Sequence, residues 1–202
     1  MGALVLRDGL EIGNPLELAL EFLTAYSGLE SVDPSGPGSF DERDLRMANR
    51  AGGRISGAEI TAILRRRREI ELALRKIQPS ASLAGATSSI PWAALSELFD
   101  AFGGIRGIGF GKMTKTLHRK RPALIPILDS VVQAYLTRDA PAMPLSASFG
   151  ESATALARSF KQDLDRNSSV LQDLQLKLAS RGYPLTEVRI LDLLIWCVSG
   201  AR

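Results

Sequence analysis

Between Ile105 and Val132 the chain sets a Gly-x-Gly turn, a run of cations and one late carboxylate in an order suited to chemistry on a phosphate-bearing substrate. Gly107-Ile-Gly109 falls between two helical segments and leaves backbone N–H groups open at the start of the second. With no side chain in the way a phosphate can approach them, and the helix dipole favours its negative charge. Lys112, Lys115, Arg119, Lys120 and Arg121 follow, and no acid appears until Asp129. A single carboxylate after so basic a run suits a reaction performed beside a polyanion. Residues 101–128 carry six basic side chains, Arg106 being the sixth, and no acid; the remainder carries 19 basic against 22 acidic ones. The net charge of +3 is therefore gathered in one place. Positive charge beside a phosphate-type turn is the footprint of a nucleic-acid binder, a solvated basic face being the plain alternative.

Composition removes other chemistries. One cysteine, Cys197, excludes an internal disulfide framework and any four-cysteine cluster or zinc site, and one histidine, His118, excludes a multi-histidine metal centre. No apolar run approaches the roughly 18–20 residues of a membrane span, and the N-terminus lacks the pattern of a signal peptide. The expected location is the cytoplasm. A chain of 202 residues, 45% hydrophobic, is long enough for one full-sized core.

The elements that must position these residues read as helices. Asn14 caps and Pro15 opens a first helix ending near Tyr26. A Gly/Pro/Ser-rich loop covers 28–39, and Ser39 or Asp41 caps a short helix through Asn49 that Gly52-Gly53 stops. Ile60, Ile63, Leu64, Ile70, Leu74 and Ile77 form a helical-period stripe, which predicts one long helix over 56–77. Residues 78–90 read as a hinge between two lobes. Helices over 91–102 and about 111–119 flank the glycine turn, so the hairpin occupies 91–120, and a further helix is expected over about 126–136. After a Pro-bearing loop at 140–150 come helices over 151–166, 168–180 and 186–198, with Val188, Leu191, Leu194 and Ile195 in the core. Strand signal is nearly absent, which predicts an all-α, two-lobed single domain spanning 1–202.

The hairpin glycines and the later Asp resemble the helix-hairpin-helix DNA glycosylase superfamily, whose pattern is Leu-Pro-Gly-Val-Gly, a helix, then a Val-Asp-Thr-His-type segment. Asp129 lies 20 residues beyond Gly109, the family spacing, and Leu128-Asp129-Ser130-Val131 is similar to the family's Asp segment. The resemblance covers residues 91–135. Arg121-Pro122 through Ser130, with Glu187–Trp196, also resembles an uncharacterised actinobacterial family of hairpin-bearing proteins. The glycosylase resemblance implies a monomer that grips duplex DNA, extrudes a base and hydrolyses its N-glycosidic bond, without cofactor or metal. Asp129 would then be the catalytic carboxylate, its plain alternative being a helix cap or a partner of Arg119 or Arg121. Gly107, Gly109 and Gly111 with Arg106, Lys112 and Lys115 would bind DNA. Bifunctional members carry a Schiff-base lysine where this chain has Gly111, which implies a monofunctional enzyme. Gly111 either widens the pocket for a bulky base or lets the backbone approach DNA. Excision could serve repair or defence against phage with modified DNA. The rivals are a non-catalytic hairpin module binding DNA or RNA, and a toxin-like helical protein binding an acidic partner.

Other residues carry two readings each. Phe110, flanked by glycines, could touch DNA or the extruded base. Asn49 and Arg54, with Asp41–Asp44 and Arg46, either line the base pocket from the other lobe or serve as caps and surface pairs. Arg65–Arg68 read as a solvated face or a second DNA contact, Trp92 and Trp196 as core or as base-stacking platforms, and His118 as a phosphate contact or a surface residue.

Overall fold

The computed structural model describes residues 2–7, 9–25, 35–138 and 146–200. Tyr26, residues 28–34 of the first expected loop and 140–145 of the second lie outside them. Ten α-helices and one two-stranded antiparallel sheet make up the regular structure of the described residues, so the fold is all-α as expected.

The sheet was not expected. β1 (Leu4–Val5) pairs with β2 (Glu11–Ile12), Leu4 opposite Ile12. Two residues per strand are too few to show an alternation, and the hairpin is held instead by distant partners. The Asn167 amide accepts from the Val5 N–H at 2.8 Å and donates to the Val5 carbonyl at 2.9 Å. Arg7 reaches Asp163 at 2.8 Å, and its N–H donates to the Tyr135 hydroxyl.

α1 (Pro15–Ala25) and α2 (Glu42–Arg50) follow, α2 opened by a capping box in which Asp41 and Asp44 each accept from the other's end of the first turn. The long helix expected over 56–77 is two helices, α3 (Gly57–Arg65) and α4 (Arg67–Arg75). They part at Arg66, whose N–H turns back to the Ile63 carbonyl and whose guanidinium reaches the Ala101 carbonyl. Four consecutive arginines supply no apolar contact to hold one axis straight, so the partners on either side set two directions. The segment 78–90 ends in a 3₁₀ turn, Thr87–Ser89. Its Leu83 is fully buried and donates its N–H to the Ala123 carbonyl at 2.8 Å, which ties this stretch to the chain beyond α6.

α5 (Trp92–Asp100), α6 (Phe110–His118), α7 (Ser130–Thr137), α8 (Phe149–Arg166), α9 (Ser168–Ala179) and α10 (Glu187–Ser199) complete the fold. α5 and α8 pack closely because Gly150 has no side chain; a Cβ there would overlap the Ser96 carbonyl. α10 contacts α1, α7 and α9 and buries Val188, Leu191, Leu194 and Ile195 as expected, with Ile190 and Leu193 besides. The helix expected from Pro126 starts only at Ser130. Residues 126–129 run without regular structure, as residues ahead of a helix cap do.

The end of the basic run is core. Lys120 pairs with Asp44 at 2.7 Å, both side chains at or below 1% exposure, and also bonds the Ser35 hydroxyl. The buried Arg121 guanidinium donates to the carbonyls of Leu74, Ile77, Pro37 and Lys120 at 2.7–2.9 Å. Leu74 lies in the last turn of α4 and Ile77 just beyond it, so Arg121 sits at the C-terminal end of the helix, where the dipole favours a cation. His118 is buried as well, its Nδ1 2.6 Å from the Ile125 carbonyl, which removes both readings of that residue.

Lys120→Met should lower the unfolding free energy by about 3–5 kcal/mol, because the buried Asp44 then loses its cationic partner. Adding Asp44→Asn should recover much of that loss in urea denaturation. Equal losses for the single and double variants would show that the ion pair is not what Lys120 contributes.

Candidate functional site

Asp129 is placed by three neighbours. The Thr114 hydroxyl, in the buried face of α6, donates to the Phe110 carbonyl and accepts the Leu128 N–H at 2.9 Å. The Gln133 amide donates to the Leu128 carbonyl at 2.8 Å. Gly111 supplies the third constraint: a Cβ there would lie 3.3 Å from the Asp129 Cα and 3.5 Å from the Leu128 carbonyl oxygen. Gly111 therefore faces the Asp129 backbone, so its missing side chain brings α6 against this segment. Gly111 also lines the groove.

Asp129 is the N-cap of α7. Its Oδ1 accepts from the Val131 and Val132 N–H groups, both at 3.1 Å. Oδ2 has no hydrogen-bond partner, and no ion pair joins Asp129 to Arg119 or Arg121 among the described residues. Half of the carboxylate is engaged by the helix and half is open.

An open groove of about 470 Å³ lies beside it. Gly107, Gly109, Phe110, Gly111, Lys112, Lys115 and Asp129 line it, so the structure gathers seven of the residues singled out from the sequence. Phe110 is half-buried, and its ring meets that of Phe149 at 4.8 Å between centroids, tilted by 54°. Phe149, the first residue of α8, lines the groove with Ser130, Gln133 and Gly53. Ser130 and Gln133 come with the helix that Asp129 caps, whereas Phe149 and Gly53 are brought in by packing, and no local feature marks Phe149 or Gln133 in the sequence. Gly103 admits Phe149: a Cβ there would lie 3.2 Å from the Phe149 Cβ.

The cations differ in their commitments. Lys112 pairs with Glu59 at 2.6 Å, whereas Lys115 reaches only a backbone oxygen, that of Gly52, at 3.3 Å. Arg106 is exposed and does not line the groove. Asn49 and Arg54 do not line it either. Asn49 instead clamps the turn after α2, accepting the Ile55 N–H at 2.6 Å and donating to the Ile55 carbonyl at 2.8 Å. Exposed Arg54 sits within that clamp at φ 52°, a left-handed conformation that costs a non-glycine residue of order 1 kcal/mol or more. Asp41 serves as a cap, and Arg46 forms a surface pair with Glu42.

The remaining candidates are accounted for by packing. Arg67 pairs with Glu71, while Arg65 and Arg68 are exposed. Trp92 carries Arg158 over its ring at 4.1 Å, and Trp196 packs edge-on to Phe22. Neither tryptophan lines the groove. No helix of the described residues is long and apolar enough to cross a membrane.

Residues 24–199 match a family of unknown function, DUF6308. The chain belongs to that family. The match takes in the glycine turn, Asp129 and every residue lining the groove. No curated protein and no solved structure matches the chain.

Two variants test how this DUF6308 member holds its carboxylate. Asp129→Ala should cost about 0.5–2 kcal/mol of stability through the lost cap, whereas Asp129→Asn, itself a good cap, should cost little. Gly111→Ala should cost about 1–3 kcal/mol, because its Cβ is forced against the Asp129 backbone. Thermal and urea unfolding read both; a Gly111→Ala protein as stable as wild type would show that the contact relaxes freely.

Proposed function

We propose that this protein is a monofunctional DNA glycosylase that removes a damaged or bulky modified base and leaves an abasic site. The observation that supports it is the open Oδ2 of Asp129 in a groove shared with the glycine turn, Lys112 and Lys115. Breaking an N-glycosidic bond moves its electron pair to the departing base and leaves an oxocarbenium-like sugar. A fixed carboxylate beside that carbon stabilises the cation and orients a water, which adds its oxygen and gives up a proton. Capping suits this role, because a carboxylate tied through one oxygen needs little reorganisation when positive charge develops. The Phe110–Phe149 pair offers an aromatic wall for an extruded base. Backbone N–H groups at Gly107 and Gly109, with the Lys115 cation, would hold the flanking phosphates.

A non-catalytic nucleic-acid-binding protein is the second reading. It is favoured by the engagement of Oδ1 with two backbone N–H groups, which gives Asp129 a structural reason to be there. Incubation with a panel of modified duplexes, including ones with bulky phage-type pyrimidines, followed by mass spectrometry for free base, separates the two.

Asp129→Asn keeps the cap and should reduce base release at least about 100-fold while leaving duplex affinity within a few-fold. Turnover near that of wild type would sink the assignment. Lys115→Ala should weaken binding across sequences and lower the salt slope by about one unit. Gly111 sets no amine against Asp129, Lys112 is held by Glu59, and Lys115 turns to the Gly52 carbonyl. The product should therefore be an intact abasic strand, cleaved only by alkali, and borohydride should trap no adduct. A trapped adduct that disappears in Lys115→Ala would overturn the monofunctional reading.

A further inference from the structure

An anion of the protein's own lies against the glycine turn. Gly107 has φ 86°, and a Cβ at that position would collide with the Glu59 carboxylate. That carboxylate reaches the turn from the first turn of α3. Its Oε1 accepts from the Lys112 ammonium at 2.6 Å and its Oε2 from the Ser56 N–H at 2.7 Å. The pair is largely sheltered, with side-chain exposures of 28% for Lys112 and 14% for Glu59. Burial raises the Glu59 carboxyl, but the bonds from Lys112 and Ser56 outweigh it and hold the group below its usual range. It is thus an anion at neutral pH.

We propose that Glu59 is an internal competitor for the phosphate seat at the Gly107 turn, which a nucleic-acid phosphate must displace from Lys112 in order to dock. This rests on the nucleic-acid reading of the groove given above. The exchange is symmetrical in charge: Lys112 keeps an anionic partner throughout, and Glu59 keeps the Ser56 N–H while losing the ammonium. Lys112 therefore contributes less to net affinity than a free cation would. The contact tunes binding down and favours ligands whose other contacts, in the groove, offset the displaced pair. Lys115 has no carboxylate partner among the described residues and stays available for first encounter.

Glu59→Gln is the decisive variant. Glutamine serves the capping box as well as glutamate does, so α3 keeps its N-terminus while the competing charge is removed. With a labelled, unmodified duplex, Glu59→Gln should bind about tenfold tighter than wild type, with a salt slope steeper by about one unit. Adding Lys112→Ala should abolish the gain. A second measurement follows the Gly107 and Gly109 amide resonances during titration with inorganic phosphate, which should shift them at lower concentration in Glu59→Gln. If wild type binds duplex and Glu59→Gln binds no tighter, the competition is refuted and the nucleic-acid reading stands. If neither protein binds duplex but phosphate shifts the glycine amides in Glu59→Gln alone, the competition stands and the duplex reading falls. Glycine amides equally indifferent to phosphate in both proteins overturn the competition.

Discussion

Two buried cations, Lys120 and Arg121, tie the first part of the chain to the groove. Each would be costly to bury alone, since a desolvated charge without partners is among the largest destabilising terms in a protein. Each is satisfied by groups far away in sequence. Lys120 meets Asp44, which also receives the Asp41 N–H in the capping box of α2, so the start of α2 and the end of α6 are fixed by one carboxylate. Arg121 gathers the carbonyls of Leu74 in the last turn of α4, of Ile77 just beyond it and of Pro37. Neither bond set tolerates much displacement, because a shift of either partner leaves a buried charge or buried carbonyls unpaired. The positions of α3 and the Gly52–Gly53 turn beside the groove follow from this, since α2 and α4 bracket them in the chain.

On that frame the groove is assembled from backbone as much as from side chains. Gly111 and Gly103 remove volume so that the Asp129 segment and Phe149 can come close. Thr114 and Gln133 then bind both sides of the Leu128 peptide, which orients the next residue. These are short, neutral bonds, one buried and one partly so, each worth about 1 kcal/mol net but expensive to leave unmade. Asp129 is therefore held by its neighbours' geometry before its own side chain makes any bond.

The helical class and the place of most helices were legible in the sequence because apolar periodicity and caps are local: Pro15, Asp41 and the stripe of α10 all lie where expected. What escaped notice depends on distant partners. The β1–β2 hairpin exists through Asn167 and Asp163, more than 150 residues away, and no short window could contain that information. The break at Arg66 is similar, because the apolar stripe continues across it and only tertiary contact divides it. In the groove, glycines, lysines and Asp129 announced themselves by type and spacing, whereas Phe149 and Gln133 look ordinary in sequence. Lys120 and Arg121 misled in the other direction: a charge run reads as surface, yet its last two members are core. Local sequence cannot show that a carboxylate and a helix end will be waiting for them.

The cap that Asp129 forms and the catalytic role proposed for it are compatible, and the reason is stereochemical. A carboxylate has two oxygens with roughly four acceptor directions, and an N-cap uses only those of one oxygen toward the helix. The torsion that lets Oδ1 meet Val131 and Val132 fixes where Oδ2 points, so the cap acts as the positioning device for the open oxygen. A carboxylate on a free surface rotamer would have to be ordered during each turnover, which raises the barrier by the entropy of that ordering. Here the ordering is completed on folding, by bonds that α7 needs in any case. An Asp at a cap beside a groove is thus structurally required and chemically available at once. Asparagine retains the first property and loses the second.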